Sequence, residues 1–375
     1  MRFSHATPEA TYGFAKRFAH YKDFYTRHDG LIFSKLGFGT FKKEPYKEEN
    51  YIFDYKDALK TAIHYGVNVI DTAINYRYQQ SEREIGEVLE ELFERGDVKR
   101  EELILCSKGG FVPLDFPFPE NPYEWINEHI LQKGLATSSD IELDQHCMTP
   151  AFLNDSLERS LVNLHVKCLD IYFLHNPETQ LTKIGYNHFL KQLEEIFESF
   201  EAHVREGKIK AYGIAVWNAF TYEEGNSEYI NLEEVYDIAR KVGGASHHFK
   251  YIQLPFHIAK TNAYSVPNQK MSDGKYYTPL QVAHKLGLGV MSSSSLLQMH
   301  LFQKPFKPEI GYLLDSHMEL QSDIQLALQF VRSTRGIVTS LFSSSKSEHV
   351  SSNLEIAMTN ATNTTKYNLL YKVER

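Results

Sequence analysis

The sequence predicts a single-domain α/β chain folded as a (β/α)8 TIM barrel, and three features lead there. Eight short apolar runs rich in β-branched residues recur from about residue 36 onward, at residues 36–40, 67–72, 103–108, 169–175, 209–216, 251–255, 288–292 and 336–342. Most are continuous rather than alternating, the pattern of parallel strands buried on both faces. Stretches of helical periodicity separate them, so the order is strand then helix throughout. The long irregular segments (109–148, 256–277 and 293–322) all follow strands, whereas helix-to-strand joints such as Gly66 and 243–249 are short. In a closed parallel barrel that asymmetry gathers the elaboration at the C-terminal face, where such folds keep their sites.

Each element carries its own signal. The segment before Leu36 is expected to form a short hairpin across the opposite end of the barrel, with 1–30 an N-terminal extension and 31–375 the barrel domain. Ser81 and Glu84 have capping-box spacing ahead of Ile85, Val88, Leu89 and Leu92, which share one helical face. Thr149-Pro150 and Thr278-Pro279 each set a capping hydroxyl before a proline at the first helical position. The first of these helices carries Leu153, Leu157, Leu161 and Leu164 toward the core. Asn231 and Glu234 repeat the capping spacing, and Gly66, Gly96, Gly243 and Gly287 supply stops. No Gly/Ser/Pro-rich linker and no internal repeat divides the chain, so one domain is expected despite its length.

Composition narrows the class. The 375 residues are 42% hydrophobic and 23% charged, enough to bury a globular core. A formal net charge of −8 argues against nucleic acid or an anionic membrane as the main partner. The three cysteines (Cys106, Cys147 and Cys168) form no CxxC pair and no metal-ligand spacing with histidine, so reduced thiols and no metal are expected. Polar residues interrupt every apolar run near the N-terminus, and no stretch reaches the ~20 apolar residues of a membrane span. The sequons at Asn154, Asn360 and Asn363 therefore carry no weight, and a cytoplasmic setting is expected. Assembly state is not legible.

The chemistry gathers at strand ends. Asp71 ends the second run, Lys108 the third and His175 the fourth, while Tyr76 follows Asp71 by five residues. On a barrel these four converge on one mouth. Singly, each has a plainer reading: a turn-capping Asp, a rim His, a surface Tyr, a buried ion-pair partner in Lys108. Together they suit general acid catalysis. A phenol near pKa ~10 is a poor proton shuttle at neutral pH, a neighbouring ammonium lowers that value, and a carboxylate holds the ammonium. A neutral imidazole orients a carbonyl oxygen. The set offers no strong nucleophile, so it fits protonation of an oxygen while hydride arrives from a cofactor.

On these residues the sequence resembles the aldo-keto reductases. The carrying stretches are DTAINYRYQQSEREIG from Asp71, LCSKGG from Leu105, LDIYFLHNPE from Leu169, KAYGIAVWN from Lys210, IQLPFHI from Ile252 and the final stretch from Leu326 to Ala357. The resemblance implies a catalytic tetrad at Asp71, Tyr76, Lys108 and His175. It also implies NADP(H) bound in extended form without a GxGxxG loop, with NAD(H) left open. Tyr78 competes with Tyr76, because the Ser81-Glu82 pair follows Tyr78 at the family's spacing. The family's Ser-Asn pair after the fifth strand is here Ala215-Val216, which leaves Trp217 or Asn218 to replace that contact. Gln253 matches a carboxamide ligand, and Ser292 stands near where the family often places a stacking aromatic. Ser343, Ser344, Lys346 and His349 offer hydroxyls and a cation for an adenosine phosphate, and Asn353 matches an adenine ligand.

The aromatic insertion after the third strand, with Phe111, Phe116, Phe118, Tyr123 and Trp125, together with Trp217 and Phe256, suggests a pocket for a partly apolar aldehyde, ketone or sugar. Two rival readings remain: a regulatory or interaction subunit on the same scaffold that binds cofactor with little turnover, and a metal-dependent barrel hydrolase or isomerase. The second needs carboxylate and histidine clusters at several strand ends, and only Asp71 and His175 qualify.

Overall fold

A computed structural model describes residues 4–42, 54–143, 145–315, 317 and 319–372. The chain opens with helix α1 (Pro8–Lys16) and an antiparallel hairpin of β1 (Tyr25–His28) and β2 (Leu31–Ser34). The alternating unit follows: β3 (Leu36–Gly39), α2 (Lys56–His64), β4 (Val69–Asp71), α3 (Gln80–Arg95), β5 (Ile104–Gly109), α4 (Pro122–Ile126), α5 (Pro150–Asn163), β6 (Leu169–His175), α6 (Glu178–Ile184), α7 (Tyr186–Arg205), β7 (Ile209–Ala215), α8 (Leu232–Gly243) and β8 (Phe249–Pro255). After α9 (Asn262–Ser265) and the small pair β9 (Gln269–Lys270) and β10 (Tyr276–Tyr277) come α10 (Pro279–Leu286), β11 (Gly289–Ser293), α11 (Pro308–Leu314), α12 (Asp323–Arg332), β12 (Ile337–Phe342), α13 (Ser347–Leu354) and α14 (Thr364–Leu369).

Eight strands close in the order β11-β12-β3-β4-β5-β6-β7-β8, all parallel. These are the eight apolar runs of the sequence, shifted by at most two residues at either end. Side chains including Val69, Ile104, Ile171, Phe173, Tyr251 and Met291 fill the barrel's interior as one cluster. The larger cluster lies between the strands and the surrounding helices.

The hairpin sits at the N-terminal end of the barrel. Asn68, one residue before β4, donates to the Ile32 carbonyl and accepts from the Ser34 N–H, both at 2.8 Å. Beside it Asp170 accepts from the backbone N–H groups of Ala6 (2.7 Å) and Leu105 (2.8 Å) and pairs with Arg100 at 2.8 Å. That end is sealed with polar groups satisfied by backbone, which leaves the opposite mouth for chemistry.

The helix signals hold at Thr149, Asn231 and Thr278, whose side chains accept the N–H of Phe152, Glu234 and Gln281 respectively. Gly96 and Gly287 close their helices in the left-handed conformation, both with φ of 72°. Ser81 and Glu84 do not form the expected box. Helix α3 starts earlier, at Gln80, with left-handed Gln79 at its cap. Ser81 then donates to the Thr40 carbonyl at 3.1 Å, and Glu84 is taken by Arg77 and the Tyr55 N–H. Tertiary partners outbid the local cap.

Candidate active site

The strand ends bring the four expected residues together. Asp71 is the last residue of β4, Lys108 lies on β5 and His175 ends β6. Register sets β4 beside β5 and β5 beside β6, so successive strands deliver adjacent side chains. The fully buried Lys108 ammonium donates to Asp71 Oδ2 at 2.6 Å and to the Thr72 carbonyl at 2.7 Å. Its Nζ lies 5.1 Å from the centroid of the Tyr76 ring. The Tyr76 and His175 rings meet edge to face, 5.8 Å between centroids. Asp71, Tyr76 and His175 all line one cavity of about 700 Å³.

Backbone shape puts Tyr76, and not Tyr78, on the cavity wall. Arg77, Tyr78 and Gln79 take positive φ values of 49°, 53° and 69° in succession. Three left-handed residues loop out the extra length between Tyr76 and the Ser81-Glu82 pair. Tyr78 is carried away from the cavity wall and its ring packs 5.1 Å from that of Phe118. The loop is held by Arg77 on Glu84 and by Gln79 Nε2, which donates to the Pro113 carbonyl and to Asp115, each at 2.8 Å.

Burial dominates the electrostatics. It pushes the Tyr76 phenol above its usual range; Lys108 pulls the other way but is overcome. The expectation that the ammonium makes Tyr76 a stronger acid is therefore corrected in net direction: desolvation of a phenolate costs more than one paired ammonium returns. Tyr76 consequently keeps its proton at neutral pH. Burial alone would push the Lys108 ammonium down, but Asp71 and Tyr76 outweigh it and the group is held charged. His175 is driven well below the usual imidazole range by burial, then by Lys108 and His146, so it is neutral.

Several contributors had no clear sequence signal. His146, from the insertion after β5, is buried and donates through Nε2 to the His175 carbonyl at 2.7 Å. Phe111 sets its ring edge-on to both imidazoles, at 5.0 and 4.9 Å. Gly110 is required here, because a Cβ would come within 2.7 Å of the His175 carbonyl oxygen. Asn176, adjacent to His175 in the HNPE stretch, lines the cavity with Asn75, Thr40 and Gln145. Of the aromatics expected at the pocket, Phe111 and Trp217 line it. Phe256 is instead buried in the core, stacked on Phe330 at 5.6 Å. Trp125 is buried in the insertion, stacked on His129 at 4.4 Å, while Phe116, Phe118 and Tyr123 face solvent.

The expected cofactor ligands divide. Gln253, Ser343 and Ser344 lie on the cavity wall with Ser293, Ser294, Ser295 and Ser345. Gln253 gives an amide hydrogen to Asp71 Oδ1 at 2.9 Å, which links it to the Lys108 clamp. Lys346 caps α13, and His349 and Asn353 lie within that helix beyond the wall residues. Ser292 faces its neighbouring strand and donates to Ser340 Oγ at 2.8 Å. Asn218 is turned to Lys260 and Tyr222. Ala215 and Val216 line the cavity where the Ser-Asn pair was missing. Among the described residues no three of His, Cys, Asp and Glu converge as metal ligands, and all three cysteines are free and buried. No helix among them is long and apolar enough to cross a membrane.

Comparison with known proteins agrees with this architecture. The chain is 27% identical over 198 residues to aldo-keto reductase family 4 member C11 of Arabidopsis thaliana, a match covering 51% of this chain and 48% of that protein. It is 26% identical over 150 residues to the aldo-keto reductase family 1 member C23-like protein of Equus caballus, covering 40% and 34% respectively. The chain thus spans about half or less of the length of the curated relatives it matches. In three dimensions it resembles the aldose reductase of Schistosoma japonicum with a TM-score of 0.58 at 18% identity, covering 92% of this chain and 91% of that one. It also resembles an aldo/keto reductase of Klebsiella pneumoniae solved with NADP and acetate, with a TM-score of 0.55 at 19% identity and coverage of 94% and 95%. The model of the aldo/keto reductase family matches residues 35–240, more than half of the sequence and the region that supplies all four clustered residues, so this chain belongs to the aldo/keto reductase family.

Proposed function

We propose that this chain is an NADP(H)-dependent oxidoreductase that reduces an aldehyde or ketone, or oxidises the matching alcohol, with Tyr76 as proton donor. One observation carries the reading: a buried ammonium, fixed by Asp71 at 2.6 Å, stands against a phenol on the wall of a cavity that also presents a neutral imidazole.

The cavity suits a nucleotide cofactor. It runs from Tyr76 and His175 past Gln253 to the hydroxyls of Ser343, Ser344 and Ser345. The buried Ser295 hydroxyl on its wall has no hydrogen-bond partner among the described residues. We assign Gln253 to the nicotinamide end, and Ser343 and Ser344, with Lys346, His349 and Asn353 on the adjoining helix, to the adenosine-phosphate end. Asn218 and Ser292 are committed elsewhere and leave the set. When bound, a reduced nicotinamide supplies the hydride.

The residues do the rest. Tyr76 holds its proton until a carbonyl oxygen gains charge, then transfers it along a hydrogen bond. Lys108 stabilises the phenolate left behind, and Asp71 keeps Lys108 charged and in place. His175, being neutral, donates one hydrogen bond to the substrate oxygen without competing for the proton. NADPH and NADH titrations followed by nicotinamide fluorescence, with carbonyl reduction read from loss of reduced nicotinamide, test this. Tyr76→Phe should lower kcat by roughly 10²–10⁴-fold with cofactor affinity retained, and Tyr78→Phe should stay within about twofold. Failure to bind either nucleotide sinks the proposal.

A further inference from the structure

Trp217 is held in an unusual way for a residue at a pocket mouth. It follows β7 on the loop that also carries Ala215 and Val216, and its side chain lines the cavity while the residue stays 47% exposed. Half-exposed indoles on loops normally sample several rotamers. This one is pinned at two points. Its backbone N–H donates to Glu178 Oε1 at 2.6 Å, and its indole N–H donates at 2.8 Å to the Asn176 side-chain oxygen once that amide is turned to the orientation its neighbours require. Both partners are buried and come from the end of the neighbouring barrel strand, one and three residues after His175. In that same orientation the Asn176 amide nitrogen donates to the Ala215 carbonyl at 3.1 Å.

We infer that Trp217 is a preorganised platform for a flat apolar substrate face, which makes aromatic aldehydes and ketones the preferred substrate class, with Asn176 and Glu178 as positioning residues. This rests on the proposed carbonyl chemistry at Tyr76 and His175. A substrate whose carbonyl reaches those groups shares the cavity with Trp217 and with Phe111. A fixed indole loses no rotamer freedom when a ring packs on it, so the contact is realised as affinity. Aromatic pairs contribute ~0.5–1.5 kcal/mol beyond the area they cover. A short aliphatic aldehyde gains neither advantage.

The chain has two tryptophans, Trp125 and Trp217, which gives the platform its own optical signal. In a Trp125→Phe variant, 4-nitrobenzaldehyde should quench the remaining emission, and propanal should not. Independently, in the otherwise unaltered chain and at saturating NADPH, Trp217→Ala should raise KM for benzaldehyde about tenfold and leave KM for propanal within about twofold. Trp217→Phe should restore most of the benzaldehyde KM. Asn176→Ala and Glu178→Gln should raise that KM by a smaller factor at near-constant kcat. Equal shifts for both aldehydes, or a fall in kcat with KM unmoved, overturn the platform. If the unaltered protein reduces neither aldehyde, the carbonyl-reductase reading fails, and absent quenching then overturns the platform as well.

Discussion

Two buried titratable residues flank the site with opposite effects on stability. Burial pushes Glu178 up to about 7; the Trp217 N–H and Lys260 oppose this, while Glu228 adds to it. Between the ordinary carboxylate value of 4.5 and about 7, the folded protein keeps a proton that the unfolded chain has released, so this group makes stability fall as pH rises. Burial drives His146 down to about 4 from 6.5, against the opposing pull of the His175 carbonyl and Glu142. Between those values the unfolded chain takes up a proton that the folded protein refuses, so this group makes stability rise with pH. Each contribution is on the order of 3 kcal/mol, and in the native protein the two largely cancel across their shared window. Single variants expose the slopes: relative to the unaltered chain, Glu178→Gln should gain stability with rising pH and His146→Gln should lose it. Denaturant unfolding at three pH values reads both, and parallel curves would refute the assignment.

At the scale of elements, local strain gathers in the loop between Tyr76 and α3, as it does again at residues 297–299. Three consecutive non-glycine residues in the left-handed region cost roughly 1–3 kcal/mol each, and they persist because surrounding contacts over-determine them. The buried Arg77–Glu84 pair at 2.5 Å is the main anchor. Glu84→Ala leaves the guanidinium without this carboxylate, which should lower unfolding free energy by about 3–5 kcal/mol. It should also reduce kcat more than Glu87→Ala, a control on the same helix whose ion pair with Lys56 is solvent-exposed. The loop was unreadable from spacing. The sequence favoured Tyr76 by its distance from Asp71 and kept Tyr78 in competition by its distance to Ser81-Glu82, and the backbone accommodates both spacings by looping out the surplus.

For the whole molecule, the two ends of the barrel do different work. The hairpin end is closed by Asn68 and by Asp170 with Arg100 and backbone N–H groups, and none of these three side chains is on the cavity wall. Asp170→Ala removes a buried carboxylate that satisfies two backbone donors and one guanidinium, a loss expected to cost about 3–5 kcal/mol. Calorimetry should show a clear drop in Tm, while KM and kcat measured well below that temperature stay unchanged. A change in kinetic constants without loss of stability would contradict this division of labour.

The order of elements and the identity of the clustered polar residues were settled by sequence, because buried parallel strands demand unbroken apolar runs and an ionisable residue at the end of such a run stands out. Asp71, Lys108 and His175 were legible for that reason. What only tertiary structure decided depends on which groups meet across the fold. It put Tyr76 rather than Tyr78 on the cavity wall, turned Ser81 and Glu84 from a cap into tertiary ligands, buried Phe256 and brought His146 onto the His175 carbonyl. It also reversed the expected acidity of Tyr76, since the cost of desolvation is a property of the surroundings and no residue carries it in its name.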